Sequence, residues 1–527
     1  MKTNGRITLR AALLAATLLP TACGGHKTAA ASAGCKTIAA NTAASTTAPS
    51  EAWPYANGDL ANTRDATGST ISSANVSGLT PAWTFKLTGK AAVGVAPFGS
   101  LTANPIVQNG VVYIQDLDSN VYALALATGR LEWEYQCNQP EISGPGPNGV
   151  AVAGGKVYGL TPTAAFAVSA TTGRTIWVNG DLLHKGQGTF GMQPQVANGR
   201  VYLASQYGSA PGGGVLLALN ASSGAVLWRF STVVGPDPGV RALGLGAGGA
   251  WETPLVNADG SVTYGIGNPY QTAAEAITHP ALTRYTDSDV NLDAATGKLR
   301  WYYQGVPNDF KDYDMQASPI SARAGGASVV IGSGKMGYVY EMNATTGKLI
   351  WKTPVGEHNG HDNDSLQALE HRSTLKAPFT IAPGPIGGVL ADLAVAGNSV
   401  YVETLDAPVT YTNLNLRATG AGAGSATGDV EALNLATGKV EWDTKVPQFA
   451  LGAVTVSHDL VFTTLYDGAL IALNLKTGAI VYRHHLPTST NSPIAIAGDT
   501  VIVPAGGPIT SAHGGGGDPQ VVAYKLP

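Results

Sequence analysis

The feature that most constrains this chain is a recurring turn-and-aromatic frame. Leu124 to Trp133 reads Leu-Ala-Leu-Ala-Thr-Gly-Arg-Leu-Glu-Trp, and the frame returns with Thr172-Gly173…Trp177, Ser223-Gly224…Trp228, Thr296-Gly297…Trp301, Thr346-Gly347…Trp351 and Thr437-Gly438…Trp442. A seventh copy, Thr477-Gly478…Tyr482, carries Tyr in place of Trp. Each copy has an alternating apolar strand before the tight turn and a second strand after it. An upstream hairpin repeats as well, at Asn109 to Tyr113, Gly154 to Tyr158 and Asn198 to Tyr202. Four short strands per unit, repeated about every 40–50 residues, predict a β-propeller. With a strand pair starting at Ser492 and a last strand from Val521 to Leu526 that must close the ring, the expectation is an all-β, eight-bladed propeller of four-stranded antiparallel blades. A blade cannot bury both faces alone, so Trp133, Trp177, Trp228, Trp301, Trp351 and Trp442 read as packing residues between blades.

Composition agrees where it bears on this. The 67 glycines and 31 prolines among 527 residues supply turns for many short strands. A net charge of -4 offers no case for nucleic acid or for an anionic membrane surface. Lys2, Arg6 and Arg10 precede an apolar run, Ala11 to Leu19, too short to span a bilayer, so residues 1–22 read as an export signal peptide. Small residues before Cys23 and Gly24-Gly25 after it resemble a lipobox, making Cys23 the expected lipidation site and a lipid anchor the only expected membrane contact. Residues 23–50, mostly Ala, Thr and Ser, read as a disordered tether, and 51–527 as one propeller domain. Cys35 and Cys137 are the remaining cysteines and can pair outside the cytoplasm; no Cys-x-x-Cys-His occurs, so no c-type haem is expected.

Between Val306 and Pro319, directly after a Trp frame, three carboxylates fall within six residues: Asp309, Asp312 and Asp314. Crowded acids either raise one member's pKa or invite a neutralising cation. The spacings Trp228 to Trp301 and Trp351 to Trp442 are long, and their extra residues are expected as loops on a propeller face.

At this point the chain resembles the quinoprotein alcohol dehydrogenases, eight-bladed propellers that use pyrroloquinoline quinone (PQQ). The resemblance opens with Trp53-Pro54-Tyr55…Arg64, includes Ala82-Trp83, and ends with Val522-Ala523-Tyr524. It implies that Trp251, in Gly248-Gly-Ala-Trp251, forms the floor under the quinone. Asn268, in Gly265-Ile-Gly-Asn-Pro269, would bind the metal. Asp312, in the segment similar to Trp-Asp-Tyr-Asp, would be the catalytic base beside the metal, with Asp314 as a further ligand. Lys335, in Gly334-Lys-Met-Gly337, would contact the quinone carbonyls. Hard oxygen ligands suit Ca²⁺ or a lanthanide, and the implied reaction is oxidation of an alcohol or polyol with electrons passing to a separate acceptor.

The chain also departs from the pattern. The expected metal-binding Glu falls near Ser209, an expected Glu near Thr102, the vicinal Cys pair is reduced to Cys137, Gly144 to Gly149 lacks an Arg, and Lys311 replaces the Trp before the base. His358, His361, Asp362 and Asp364 offer imidazole and carboxylate donors that would suit a transition metal. Three functions therefore stand open: an exported quinoprotein-like dehydrogenase, a non-catalytic propeller scaffold at the cell surface, and a metal-dependent enzyme without quinone.

Overall fold

The computed structural model describes residues 34–39, 52–89, 99–140, 149–206, 213–233, 248–280, 283–416, 426–490, 492–506 and 518–527. The expected signal peptide, Cys23 and Ser209 lie outside these.

Eight four-stranded antiparallel sheets form the blades. In chain order they span 106–136, 151–179, 195–231, 255–304, 320–354, 394–446 and 455–485, and the eighth combines 495–505 and 520–525 with Thr80–Lys86. The ring closes between chain ends: Thr80–Lys86 pairs antiparallel with Gln520–Lys525. Innermost strands of neighbouring blades touch around the axis. Within a blade the middle strands are buried on both faces, as in Val121–Ala125, whereas an outer strand such as Leu349–Pro354 alternates between half-buried and exposed positions. Middle strands of blades one to three are therefore almost wholly apolar, whereas an outer strand such as Leu349–Pro354 shows a two-residue period.

The Trp frame works across blades. Trp301 Nε1 donates to Ala344 O of the next blade at 2.9 Å, and Trp133, Trp177, Trp228, Trp351 and Trp442 make the same bond to Ala170, Ala221, Ala294, Leu435 and Leu475. The glycine of the next blade's turn, at φ near +70°, lies flat on that indole. Trp83 supplies the missing Trp: its Nε1 reaches Leu126 O at 2.7 Å and its ring backs Gly129. Tyr482 faces blade eight, whose outer strands come from opposite chain ends and so share no Thr-Gly turn; its hydroxyl has no hydrogen-bond partner among the described residues. A Cβ at Gly347 would sit 2.5 Å from Trp301 Cε3 at a φ of +67°. Gly347→Ala is expected to destabilise the ring by about 1–3 kcal/mol through overpacking and backbone strain, read as a lower urea midpoint.

The tether expected over 23–50 contains ordered structure. Lys36–Ala39 forms a fifth strand on blade one, paired antiparallel with its outer strand, and a Cys35–Cys137 disulfide fixes it there. Four residues of edge pairing are too few to hold alone. Cys35→Ser is expected to let amides 36–39 exchange hydrogen like an unfolded chain while blades two to eight keep their protection.

Both long insertions run as expected from the ends of blades, and each carries one short helix: Ala273–Thr278, started by a Thr272/Glu275 capping box, and Asp364–Leu369. The two helices pack on each other. No helix among the described residues is long and apolar enough to cross a membrane.

Candidate active site

The acid-rich loop leaves blade four and is shaped by its first carboxylate. Asp309, fully buried, accepts the backbone N–H of Lys311 at 3.0 Å and of Tyr313 at 2.9 Å. It is a loop staple. The tight turn puts Asp312 at φ +65°.

Asp312 and Asp314 then meet Asn268 and Lys335. Asn268 donates its backbone N–H to Asp314 Oδ1 at 2.7 Å, and its side-chain Nδ2 bonds Asp314 Oδ1 at 2.7 Å and Asp312 Oδ1. Lys335 Nζ lies 3.0 Å from Asp312 Oδ2 and 2.5 Å from Asp314 Oδ2. Trp251 is brought in by backbone pairing of its segment with the Asn268 strand, through Gly267 N to Gly249 O and Gly248 N to Asn268 O. Gly267 is required at the crossing, since a Cβ there would meet Asp314 Oδ1 at 2.7 Å and Trp251 Cη2 at 2.8 Å. Trp251, Asn268, Asp312, Asp314 and Lys335 thus converge from blades four and five.

The electrostatics follow from burial. Desolvation raises the Asp312 pKa, Lys335 pulls it down and Asp314 pushes it up again, leaving it at about 8. Two further buried acids, Asp287 and Asp289, are held well above the usual carboxylate range, by burial in both cases and, for Asp287, also by Asp309 and Asp314. Asp289 shows in the sequence as an acid on a middle strand, Ser288–Asp293, where blades one to three carry none, and Asp287 stands just before that strand.

The four donors of the second insertion do not converge as a metal site. His358 Nδ1 bonds Asp362 Oδ1 at 2.8 Å and its Nε2 faces Gly337 O at 2.8 Å, while His361 Nδ1 bonds Asp364 Oδ2 at 2.9 Å. The loop pairs its own charges, and Asp364 reaches Lys311 rather than Asp312. Among the described residues, one trio of acids lies close enough to share a cation: Asp429, Glu431 and Asp443 on blade six. There Lys445 Nζ already sits 2.6 Å from Asp429 Oδ2.

A model of the glucose/ethanol/alcohol dehydrogenase β-propeller domain, the PQQ family, matches residues 53–151 and 184–359, more than half of the chain. The chain belongs to this family. A second model, that of the outer membrane protein assembly factor BamB, matches residues 418–520. Among relatives of the PQQ propeller, the quinohemoprotein alcohol dehydrogenase of Comamonas testosteroni is 26% identical over 88% of this chain and 73% of its own. The solved quinohemoprotein alcohol dehydrogenase ADHIIG of Pseudomonas putida HK5 superposes with a TM-score of 0.76 at 22% identity, over 92% of this chain and 83% of its own. A europium-containing methanol dehydrogenase superposes at 0.70 and 18% identity, over 90% of this chain and 98% of its own. These structures share the fold of the PQQ propeller described above.

The donor set suits the family's cofactors. Asp312, Asp314 and Asn268 offer hard oxygens for a Ca²⁺ or lanthanide ion, Lys335 offers a cation for quinone oxygens, and Trp251 a flat apolar face. One adjustment is needed: Asn268 points Nδ2 at the carboxylates and holds Oδ1 on Tyr270 N at 2.6 Å, so ligation through Oδ1 requires the amide to turn.

Proposed function

We propose that the chain is an exported quinoprotein dehydrogenase that oxidises an alcohol or polyol with PQQ and a bound metal ion. The observation that carries this reading is the convergence of Asp312, Asp314, Asn268, Lys335 and Trp251 at one buried point in a PQQ-family propeller. PQQ supplies a two-electron acceptor at its quinone carbonyls, and the cation supplies a Lewis acid beside them. Asp312 would take the hydroxyl proton of the alcohol, leaving the C–H electron pair to the two-electron acceptor. Lys335 would offer its ammonium to the quinone oxygens. Trp251 would offer a flat face to the ring, and Asn268 and Asp314 would hold the cation. The electrons leave to a separate acceptor. The basic and apolar amino-terminal run and the small residues around Cys23 support export with a lipid on Cys23, and Cys23→Ser is the variant that should then free the enzyme from the membrane fraction.

Thermal unfolding of the protein from Ser50 onward, with PQQ and Ca²⁺ or a lanthanide, tests the reading, because a ligand that prefers the folded state raises the midpoint. A rise that needs metal and disappears in Trp251→Ala supports it. No rise with any metal, in a folded protein, sinks it. That outcome would favour a non-catalytic scaffold, a reading supported by the assembly-factor match over 418–520.

A further inference from the structure

The Asp312 turn and the Lys335 turn are both held by one segment that belongs to neither, the insertion after blade five. At the first turn, Lys311 has a side chain with no exposure; its Nζ lies 3.4 Å from Asp364 Oδ2, donates to His361 O, and sits 5.1 Å from the Tyr313 ring centroid. Tyr313 Oη donates to Pro383 O at 2.6 Å, and Asn308 Nδ2 to Ser365 O at 3.4 Å. At the second turn, Gly337 N closes on Gly334 O around Lys335, and Gly337 O faces His358 Nε2 at 2.8 Å. Val389 N, at the far end of the insertion, donates to Gly334 O at 3.1 Å, and Gly388 lies so close to Lys335 that a Cβ there would be 2.3 Å from its carbonyl. Asp312 itself is at φ +65°, which L residues rarely adopt, so its conformation depends on its surroundings.

We propose that the insertion is a clamp that fixes the Asp312 carboxylate against the Lys335 ammonium, with Lys311, Asp364 and His358 as its positioning residues. The proposal rests on the dehydrogenase reading. Lys311 stands where the family resemblance puts Trp, and that exchange couples the base's turn to a charged partner, Asp364, in the insertion. Both nitrogens of His358 face acceptors, Asp362 Oδ1 on one side and Gly337 O on the other, so the ring serves as a two-sided bridge when doubly protonated. A displacement of about 1 Å at a base is enough to lower turnover by up to about a hundredfold.

The test compares wild type with Asp364→Asn, Lys311→Met and Lys311→Arg in alcohol oxidation with PQQ and metal, alongside hydrogen exchange of the protein without PQQ. Asp364→Asn and Lys311→Met are expected to lower kcat about ten- to a hundredfold while KM and the PQQ-induced shift in Tm stay near wild type, because misplacement affects the reacting geometry and not ground-state binding. Lys311→Arg keeps the charge and is expected to recover most of kcat. Without PQQ, Asp364→Asn is expected to speed exchange at 309–314 and 334–337 together, with the blade strands unchanged. Wild-type kcat in both charge-removing variants would overturn the clamp, as would faster exchange confined to 358–370. A wild-type protein that neither binds PQQ nor oxidises alcohols would overturn the dehydrogenase reading instead, and the exchange result would still decide whether one segment holds both turns.

Discussion

Asp312→Asn is expected to lower kcat/KM for alcohol oxidation by about three orders of magnitude, within the range that a positioned general base contributes. The substitution keeps the shape of the side chain and its contacts with Asn268 and Lys335 in outline, while removing the group that takes the proton. PQQ and metal should therefore still raise the thermal midpoint of the variant, though by less than in wild type, because one of the three oxygen donors loses its charge. The pH profile gives an independent sign. A base works only when deprotonated, and burial with Asp314 beside it raises Asp312 to about 8, so rate should climb with pH through an acid limb. A bound cation adds positive charge next to Lys335 and favours the carboxylate, which shifts that limb to lower pH as metal is added. Steady-state rates from pH 6 to pH 10 at two metal concentrations measure both. An unchanged kcat/KM in Asp312→Asn, or an acid limb indifferent to metal, would remove Asp312 from the role of base.

How much of this was legible depended on whether a feature is local. Each Thr-Gly…Trp turn carries its own signal, because the glycine's positive φ and the indole that covers it recur with every blade. The eighth blade is harder to read: its outer strand, Thr80–Lys86, lies more than 400 residues from its partner, and Tyr482 marks the seam only once the structure shows that no Thr-Gly turn faces it. The site residues were legible one motif at a time, since Trp251, Asn268, Asp312 and Lys335 each sit in a short segment with a characteristic neighbour. Their convergence belongs to the fold. Asp289 carries no local signal of its burial, because an acid that alternates with Val290 and Leu292 reads as the polar face of a half-buried strand. The histidines and acids at 358–364 suggest metal ligands by their density, yet density cannot show that each histidine bonds the carboxylate three or four residues on and so turns its donor inward on its own loop. Nor does sequence show that Lys36–Ala39 pairs with a blade; the Ala/Thr/Ser surroundings hide it, and the disulfide that fixes it spans 102 residues.

Arg64→Ala is expected to destabilise the propeller by about 3–5 kcal/mol, the cost of removing one member of a buried charged network. Arg64 is fully buried in the amino-terminal segment that crosses the ring, and all its donors are used. Nε bonds Val454 O at 2.8 Å, Nη1 bonds Asn57 Oδ1 and Asn104 Oδ1 at 2.7 Å each, and Nη2 bonds Thr455 Oγ1 at 2.7 Å and Ile494 O at 2.9 Å. One guanidinium therefore joins the lead-in to blade one with blades seven and eight across the seam. Every acceptor is neutral, and the balancing charge comes from Asp392, Glu403 and Glu252 nearby. Burial opposes the cation and lowers its pKa to about 10, but it stays charged throughout the physiological range. The sign of the pH dependence follows. Glu403 is raised by burial to about 7 from an ordinary 4.5, so the folded state holds a proton that the unfolded chain has lost, and stability falls as pH rises through that window. Arg64 moderates this by favouring the carboxylate; without it Glu403 and Glu252 rise further, and the window extends upward. The destabilisation in Arg64→Ala should accordingly be larger at pH 8 than at pH 5, with Arg64→Lys recovering part of it through charge but not through the five-point geometry. Urea unfolding of the three proteins at both pH values measures this. A loss that is the same at both would mean that the hydrogen bonds alone, and not the charge, account for the arginine's place in the ring.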